Sequence, residues 1–203
     1  MDKPFWEDAY RSPGDPNVFG GGKPSQEVVE IVAILPAGFK VLDLGCGDGR
    51  NTLLPAEKGL QVTAVDISST AIEKLKRLTI ERGLSVEIIN QDMRLFAFED
   101  SYDLIMSHGC LHLIEREHWA KLIRKMQANT KQNGYNIVAV FTDRLPPPTD
   151  LQKFTIGLFK EGELFDYYRD WRIVSQDSRI FEDEHPGGVR HRHASNRILA
   201  QKP

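Results

Sequence analysis

Residues able to do chemistry concentrate between Val41 and Ser68, in the run VLDLGCGDGRNTLLPAEKGLQVTAVDIS. Gly45, Gly47 and Gly49 alternate behind a short apolar run, with acids at Asp43, Asp48 and Asp66. Glycine takes backbone angles closed to other residues and lets a ligand approach the main chain. Another acid, Asp92, closes a third apolar run in NQDM. Asp43, Asp66 and Asp92 are thereby expected at the ends of three successive strands, along one edge of a sheet. A carboxylate there can accept both hydroxyls of a ribose, or it can cap the next helix. Much later, His185, Arg190, His191, Arg192 and His193 gather in EDEHPGGVRHRH. The planar fork of arginine suits oxyanions, and histidine binds or takes a proton near neutral pH. Strand alternation puts Arg190 and Arg192 on one face, His191 and His193 on the other.

The elements that must position these residues alternate in type. KVLDL, QVTAVD, SVEIIN, YDLIMS and YNIVAVF read as strands. SQEVVEIVAIL has helical spacing at Val28, Ile31, Val32 and Leu35. SSTAIEKLKRLTIERG also reads as a helix, with Thr70 and Glu73 in capping-box spacing and Gly83 at its end. EREHWAKLIRKMQANT places Trp119, Leu122, Ile123 and Met126 on one face. Strands alternating with helices imply a parallel sheet covered on both sides. After Phe141 the pattern changes. KEGELFDYYRDW suggests a short helix, and WRIVSQDSRIF and HRHASNRILAQ read as strands that pair antiparallel at the end of the sheet. The expected fold class is α/β: a Rossmann-like, doubly wound, mostly parallel sheet of seven strands with an antiparallel C-terminal strand.

In such a sheet the turn after a strand points the next helix's N-terminus at the carboxyl edge, where ligands bind. A dinucleotide fold shows GxGxxG there and holds a pyrophosphate. Here the spacing is GxGxG and the loop is acidic. Acids disfavour a phosphate and suit a ligand that carries an ammonium and a sulfonium. S-adenosylmethionine (SAM) is such a ligand, and it is the cofactor expected. An NAD-dependent enzyme fits the loop less well.

As a set, DLGCGDG, AVDIS, NQDM, YDLIMSHGCLHLI and KQNGYNIVAV resemble the motifs of the class I methyltransferases. The resemblance covers about residues 38–142. It implies a cofactor site made of Asp43, Gly45, Gly47, Asp66, Ile67, Asp92, Met93 and Ser107. GCGDGRN, GYNIVAVFTD, FKEGELFDYYRDW and the closing RILAQKP narrow the resemblance to the TehB-type tellurite-resistance methyltransferases. It implies methyl transfer from SAM to a small-molecule acceptor, with tellurium and selenium oxyanions or other soft nucleophiles as the class. It also implies His185 and Arg190 as the catalytic residues on the acceptor side. Pro55 departs from the family's first helix; a helix starting near Asn51 places it in the first turn or just past it, where the cost is small. His108 and His112, after the fourth strand, are the next candidates to line the acceptor site. Trp6, Tyr10, Phe165, Tyr167 and Tyr168 are candidates for an aromatic lid over the sulfonium, Tyr167 being the one most open to a core reading. The alternative function is a non-catalytic, SAM-binding regulatory module.

Composition sets the outer bounds. The 203 residues, 40% of them hydrophobic, suffice for a single domain, 1–203. Within it, 1–25 reads as an N-terminal lid segment, 38–142 as the cofactor-binding core, and 143–203 as the substrate-side cap with antiparallel strands. A formal net charge of -3 gives no basic excess, so no nucleic-acid partner is expected. No apolar run reaches the roughly 20 residues of a membrane span, and MDKPFWEDAY is unlike a signal peptide. Cys46 and Cys110 form no metal-ligand spacing, no metal is expected, and a cytoplasmic location follows as the expectation. The oligomeric state is not legible.

Overall fold

Seven strands form one mixed sheet: β1 (Lys40–Leu44), β2 (Gln61–Asp66), β3 (Val86–Asn90), β4 (Tyr102–His108), β5 (Thr130–Phe141), β6 (Arg172–His185) and β7 (Val189–Gln201). Their order is β3-β2-β1-β4-β5-β7-β6. This computed structural model describes residues 5–11, 22–149, 152, 155–185 and 189–203. The chain divides into two compact units, Met1–Phe96 with Glu184–Val189, and Ala97–Asp183 with Arg190–Pro203. The proline and glycine stretch before Gly22 and the side chain of His185 lie outside the described residues.

In the first unit, β1, β2 and β3 pair in parallel. Helices α1 (Phe5–Tyr10), α2 (Gln26–Val32), α3 (Leu53–Glu57) and α4 (Ser69–Glu81) accompany them. α4 forms because Ile72, Leu75 and Leu78 recur at three-residue spacing; they pack with Cys46, Leu53 and Ala64 into one apolar cluster. Its cap differs from the expectation. Ser68, with extended backbone angles, accepts from the Ala71 N–H at 3.1 Å. Thr70 already lies inside the helix, so its hydroxyl is free to donate elsewhere, and it donates to Glu7 Oε2 at 2.6 Å. Pro55 is the third residue of α3, where an N–H would have no intrahelical acceptor. The helix tolerates it for that reason.

In the second unit, β4 and β5 are parallel and β7 runs antiparallel to β5. β5 begins at Thr130, five residues before the expected Tyr135. Asn133 at φ 61° and a register shift opposite Tyr102/Leu104 make an irregular entry that hides this start from a two-residue alternation. α5 (Arg116–Ala128) buries Trp119, Leu122, Ile123 and Met126, as its spacing requires. α6 (Glu163–Asp166) is the short helix read from KEGELFDYYRDW. Tyr168, a lid candidate, is instead a core residue: it is fully buried and its hydroxyl donates to Asn136 Oδ1 at 3.1 Å. Tyr167, the residue more open to a core reading, is half-exposed.

Trp119 anchors this unit. Its ring stacks on Phe159 at 3.8 Å, and its indole N–H donates to the Ile114 carbonyl at 3.2 Å. Trp119→Ala is expected to cost about 3–5 kcal/mol, as for other buried aromatics. Urea unfolding of the parent and the variant measures it; a midpoint unchanged within error would remove Trp119 from the core.

Candidate functional site

The glycine loop between β1 and α3 is held from below by carboxylates. Gly45, Gly47 and Gly49 all have positive φ, at 76°, 56° and 99°. At Gly47 the reason is visible: its N–H donates to Asp66 Oδ2 at 2.8 Å, and an added Cβ would meet the Tyr10 hydroxyl at 2.5 Å. The other oxygen of Asp66 accepts the Ser68 N–H at 2.8 Å. Asp66 thus ties the loop after β1 to the start of α4. A carboxylate offers about four acceptor positions, so room remains for the hydroxyls of a ribose. Burial raises the carboxyl of Asp66 above its ordinary range, with the two main-chain N–H groups opposing and the charge of Glu7 adding to the rise.

Asp43 is 2% exposed and accepts the Thr52 hydroxyl at 2.8 Å. Its carboxyl is pushed up to about 7, mainly by desolvation, against the hydrogen bond from Thr52. Asp48, the third acid, pairs with the buried Lys74 ammonium at 2.9 Å. Lys74 went unread in the sequence because a lysine in an amphipathic helix ordinarily faces water. The pair cancels the charge of Asp48, and Asp43 is then the acid beneath the loop that a ligand's cation would draw into the ionised state.

Asp92 lies two residues past β3. Arg94 takes both of its oxygens, with Nη2 at 2.6 Å and Nε at 2.9 Å from Oδ2, while the Arg94 N–H reaches Oδ1 at 2.8 Å. No helix follows Asp92 for it to cap; it closes a turn with Arg94 instead, and its carboxylate has less capacity left than Asp66 for an adenine. Met93 beside it is half-buried. Ile67 is 58% exposed, and Asn90 Nδ2 donates to the carbonyls of Asp66 and Ile67 at 2.9 and 3.0 Å. This fixes the main chain on either side of an exposed apolar side chain. Asn90 was missed because an amide at a strand end carries no distinctive spacing. Tyr10 lies against Gly47, and α1 is fastened to α4 by the Glu7–Thr70 bond.

In the second unit, Ser107 is fully buried at the end of β4, its Oγ 3.1 Å from Cys110 Sγ. His108 is half-exposed, and His112 is buried in a single 3-10 turn, Leu111–Leu113. The alternation along β7 is as expected: Arg190 and Arg192 are exposed, His191 and His193 buried. Among the described residues no group of three His, Cys, Asp or Glu side chains could hold a metal ion, and no helix is long and apolar enough to cross a membrane.

The strand order, the glycine loop and the acid closing β2 define the class I methyltransferase fold. A family model described as tellurite resistance protein TehB matches residues 21–197, and the chain belongs to that family. It is 32% identical over 182 residues to a probable S-adenosyl-L-methionine-dependent methyltransferase TehB of Haemophilus influenzae strain 10810, covering 87% of this chain and 61% of the relative. The chain thus spans about three-fifths of that relative's length. The crystal structure of TehB from Haemophilus influenzae matches with a TM-score of 0.78 at 28% identity, over 88% of this chain and 62% of that one. Magnesium protoporphyrin IX methyltransferase from Synechocystis, solved with bound S-adenosylhomocysteine, shares the fold at a TM-score of 0.70 and 18% identity, over 98% of this chain and 92% of that one.

Proposed function

We propose that the protein transfers the methyl group of SAM to a small, soft nucleophile. One observation carries the cofactor assignment: Asp66 at the end of β2 holds the left-handed Gly47 N–H at 2.8 Å and keeps acceptor capacity toward the ligand side. The relative's name as a SAM-dependent methyltransferase supports the same reading.

Bound there, the cofactor supplies an activated methyl on a positive sulfur. Gly45 and Gly47 leave the main chain open to its amino acid end, and Asp43 provides the charge that an ammonium needs. Asp66 accepts the ribose hydroxyls. Ile67 and Met93 flank the adenine beside Asp92, and the family resemblance adds Ser107 to the cofactor residues. Tyr10 on α1 shields the loop from water and offers an aromatic face to the sulfonium. Because the leaving group is already activated, positioning and electrostatics supply most of the catalysis. A regulatory module that only binds SAM would need the same loop but no acceptor residues. On the acceptor side the family resemblance assigns His185 and Arg190, and the class it implies is a tellurium or selenium oxyanion or a reduced form of either. A cytoplasmic location fits that chemistry.

Asp66→Ala is expected to weaken SAM binding by about 1.5–3 kcal/mol, the cost of hydrogen bonds to a charged group. Calorimetric titration with SAM measures it, with circular dichroism to confirm the fold. An unchanged dissociation constant would remove Asp66 from the ribose site.

A further inference from the structure

The second unit buries a set of polar groups that ordinary packing does not explain. His112 stacks on Phe141 at 4.2 Å between ring centroids, and Phe141 stacks on His193 at 4.6 Å. Phe181 meets both Phe141 and His193, at 5.9 and 5.6 Å. The guanidinium of Arg197 lies 5.8 Å over the Phe181 ring. Ser195 is the direct partner of Phe141 across the antiparallel β5/β7 pair, so its side chain shares that face. His193, Ser195 and Arg197 alternate along β7 on this same side, opposite to Arg190 and Arg192.

Two of these groups are incomplete. His112 is 4% exposed and Ser195 is 2% exposed, yet His112 Nδ1 and Ser195 Oγ have no hydrogen-bond partner among the described residues. Each such atom destabilises the fold unless something binds it. Burial, with the neighbouring imidazole of His193, lowers His112 to about 3, so its ring is neutral and one nitrogen is a donor. The six side chains brought together are aromatic or hydrogen-bond donors, and none is a carboxylate. They stand where β4 and β5 end, the edge at which open α/β sheets take their ligands.

We propose that this inner face is the acceptor site, with His112 Nδ1, Ser195 Oγ and the Arg197 guanidinium as donors beside the Phe141–His193 wall, and that it takes a small polarisable anion. The proposal rests on the methyltransferase reading and names the site for it. An anion attacks the methyl carbon with its own lone pair. The carbon–sulfur bond breaks, its electrons return to sulfur, and neutral S-adenosylhomocysteine leaves. The two charges cancel and no proton has to move, so a neutral His112 suffices as a donor. In this reading Arg190, on the opposite, exposed face of β7, contributes its charge and not a direct contact, in place of the role that the family resemblance assigns it.

The test measures S-adenosylhomocysteine formed by the full chain from SAM with tellurite, thiophenolate or, as a neutral acceptor, dimethylaniline. His112→Phe keeps the stacked ring and removes both nitrogens; Arg197→Gln removes the charge. Each is expected to raise KM for the anions about tenfold or more, with SAM affinity within twofold of the parent. His112→Asn, which keeps a donor near the Nδ1 position, is expected to recover part of the loss. Arg192→Ala is expected to change nothing. A purely structural His112 predicts instead a lower melting temperature and unchanged KM. Four results overturn the proposal: normal anion kinetics in His112→Phe and Arg197→Gln; loss confined to Arg190→Ala; turnover of the neutral acceptor alone, which leaves the broader reading standing; or no turnover with any acceptor while SAM binds, which sinks both.

Discussion

Gly47→Val is expected to lose SAM affinity by about 100-fold or more, the largest effect of any single change in the loop. Two penalties combine. At φ 56° a β-branched side chain sits in a region that costs L-residues about 1–2 kcal/mol. The new Cβ also falls 2.5 Å from the Tyr10 hydroxyl, and in the proposed site a side chain there obstructs a ligand's approach to the main chain. Combining it with Tyr10→Ala separates the two: the clash with the phenol goes, the backbone strain and the blocked approach stay. The double variant should still bind poorly. SAM binding of parent strength in Gly47→Val, measured by calorimetry, would show that the glycine loop is a turn and no more.

Asp43→Asn is expected to do two opposite things. The folded protein keeps the Asp43 proton up to about pH 7, whereas the unfolded chain releases it near 3.8. The parent therefore loses stability as pH rises from about 4 to about 7, and no further above that. A gap of about three pH units corresponds to an upper bound of about 4 kcal/mol. Asparagine cannot ionise and can still accept from Thr52. The variant should melt above the parent at pH 8, with the advantage shrinking toward pH 4. Its SAM affinity should fall by about 1.5–3 kcal/mol, because the ammonium loses its counter-charge. The parent's affinity should rise from pH 6 to pH 8 as Asp43 ionises, and the variant's should stay flat. A variant that melts with the parent at every pH would mean that Asp43 is ionised without cost. A variant with parent-like affinity would place the ammonium elsewhere.

These two residues were legible in the sequence because their signals are local. A glycine needed at positive φ and an acid closing an apolar run both announce themselves within five residues. The first four strands and α5 were readable on the same ground, since their apolar residues recur at the period of their element. What escaped depends on partners far away in the chain. Ser68 caps α4 in place of Thr70, because Thr70 bonds Glu7, 63 residues away. Lys74 is buried because Asp48 lies behind it. Tyr168 goes to the core because Asn136, 32 residues away, accepts its hydroxyl. The C-terminal cluster shows both sides. Alternation sorted the arginines from the histidines on β7, yet it gave no hint that His112 and Phe141 would complete the histidine face.

The most direct test of methyl transfer is a single product measurement: incubate the intact chain with SAM and tellurite or thiophenolate, and quantify S-adenosylhomocysteine together with the methylated acceptor by mass spectrometry. The account predicts equal amounts of both, rising with time and with enzyme, and absent in Gly47→Val. SAM bound at the loop with neither product formed from any small nucleophile would contradict it, and would leave the chain a binding module.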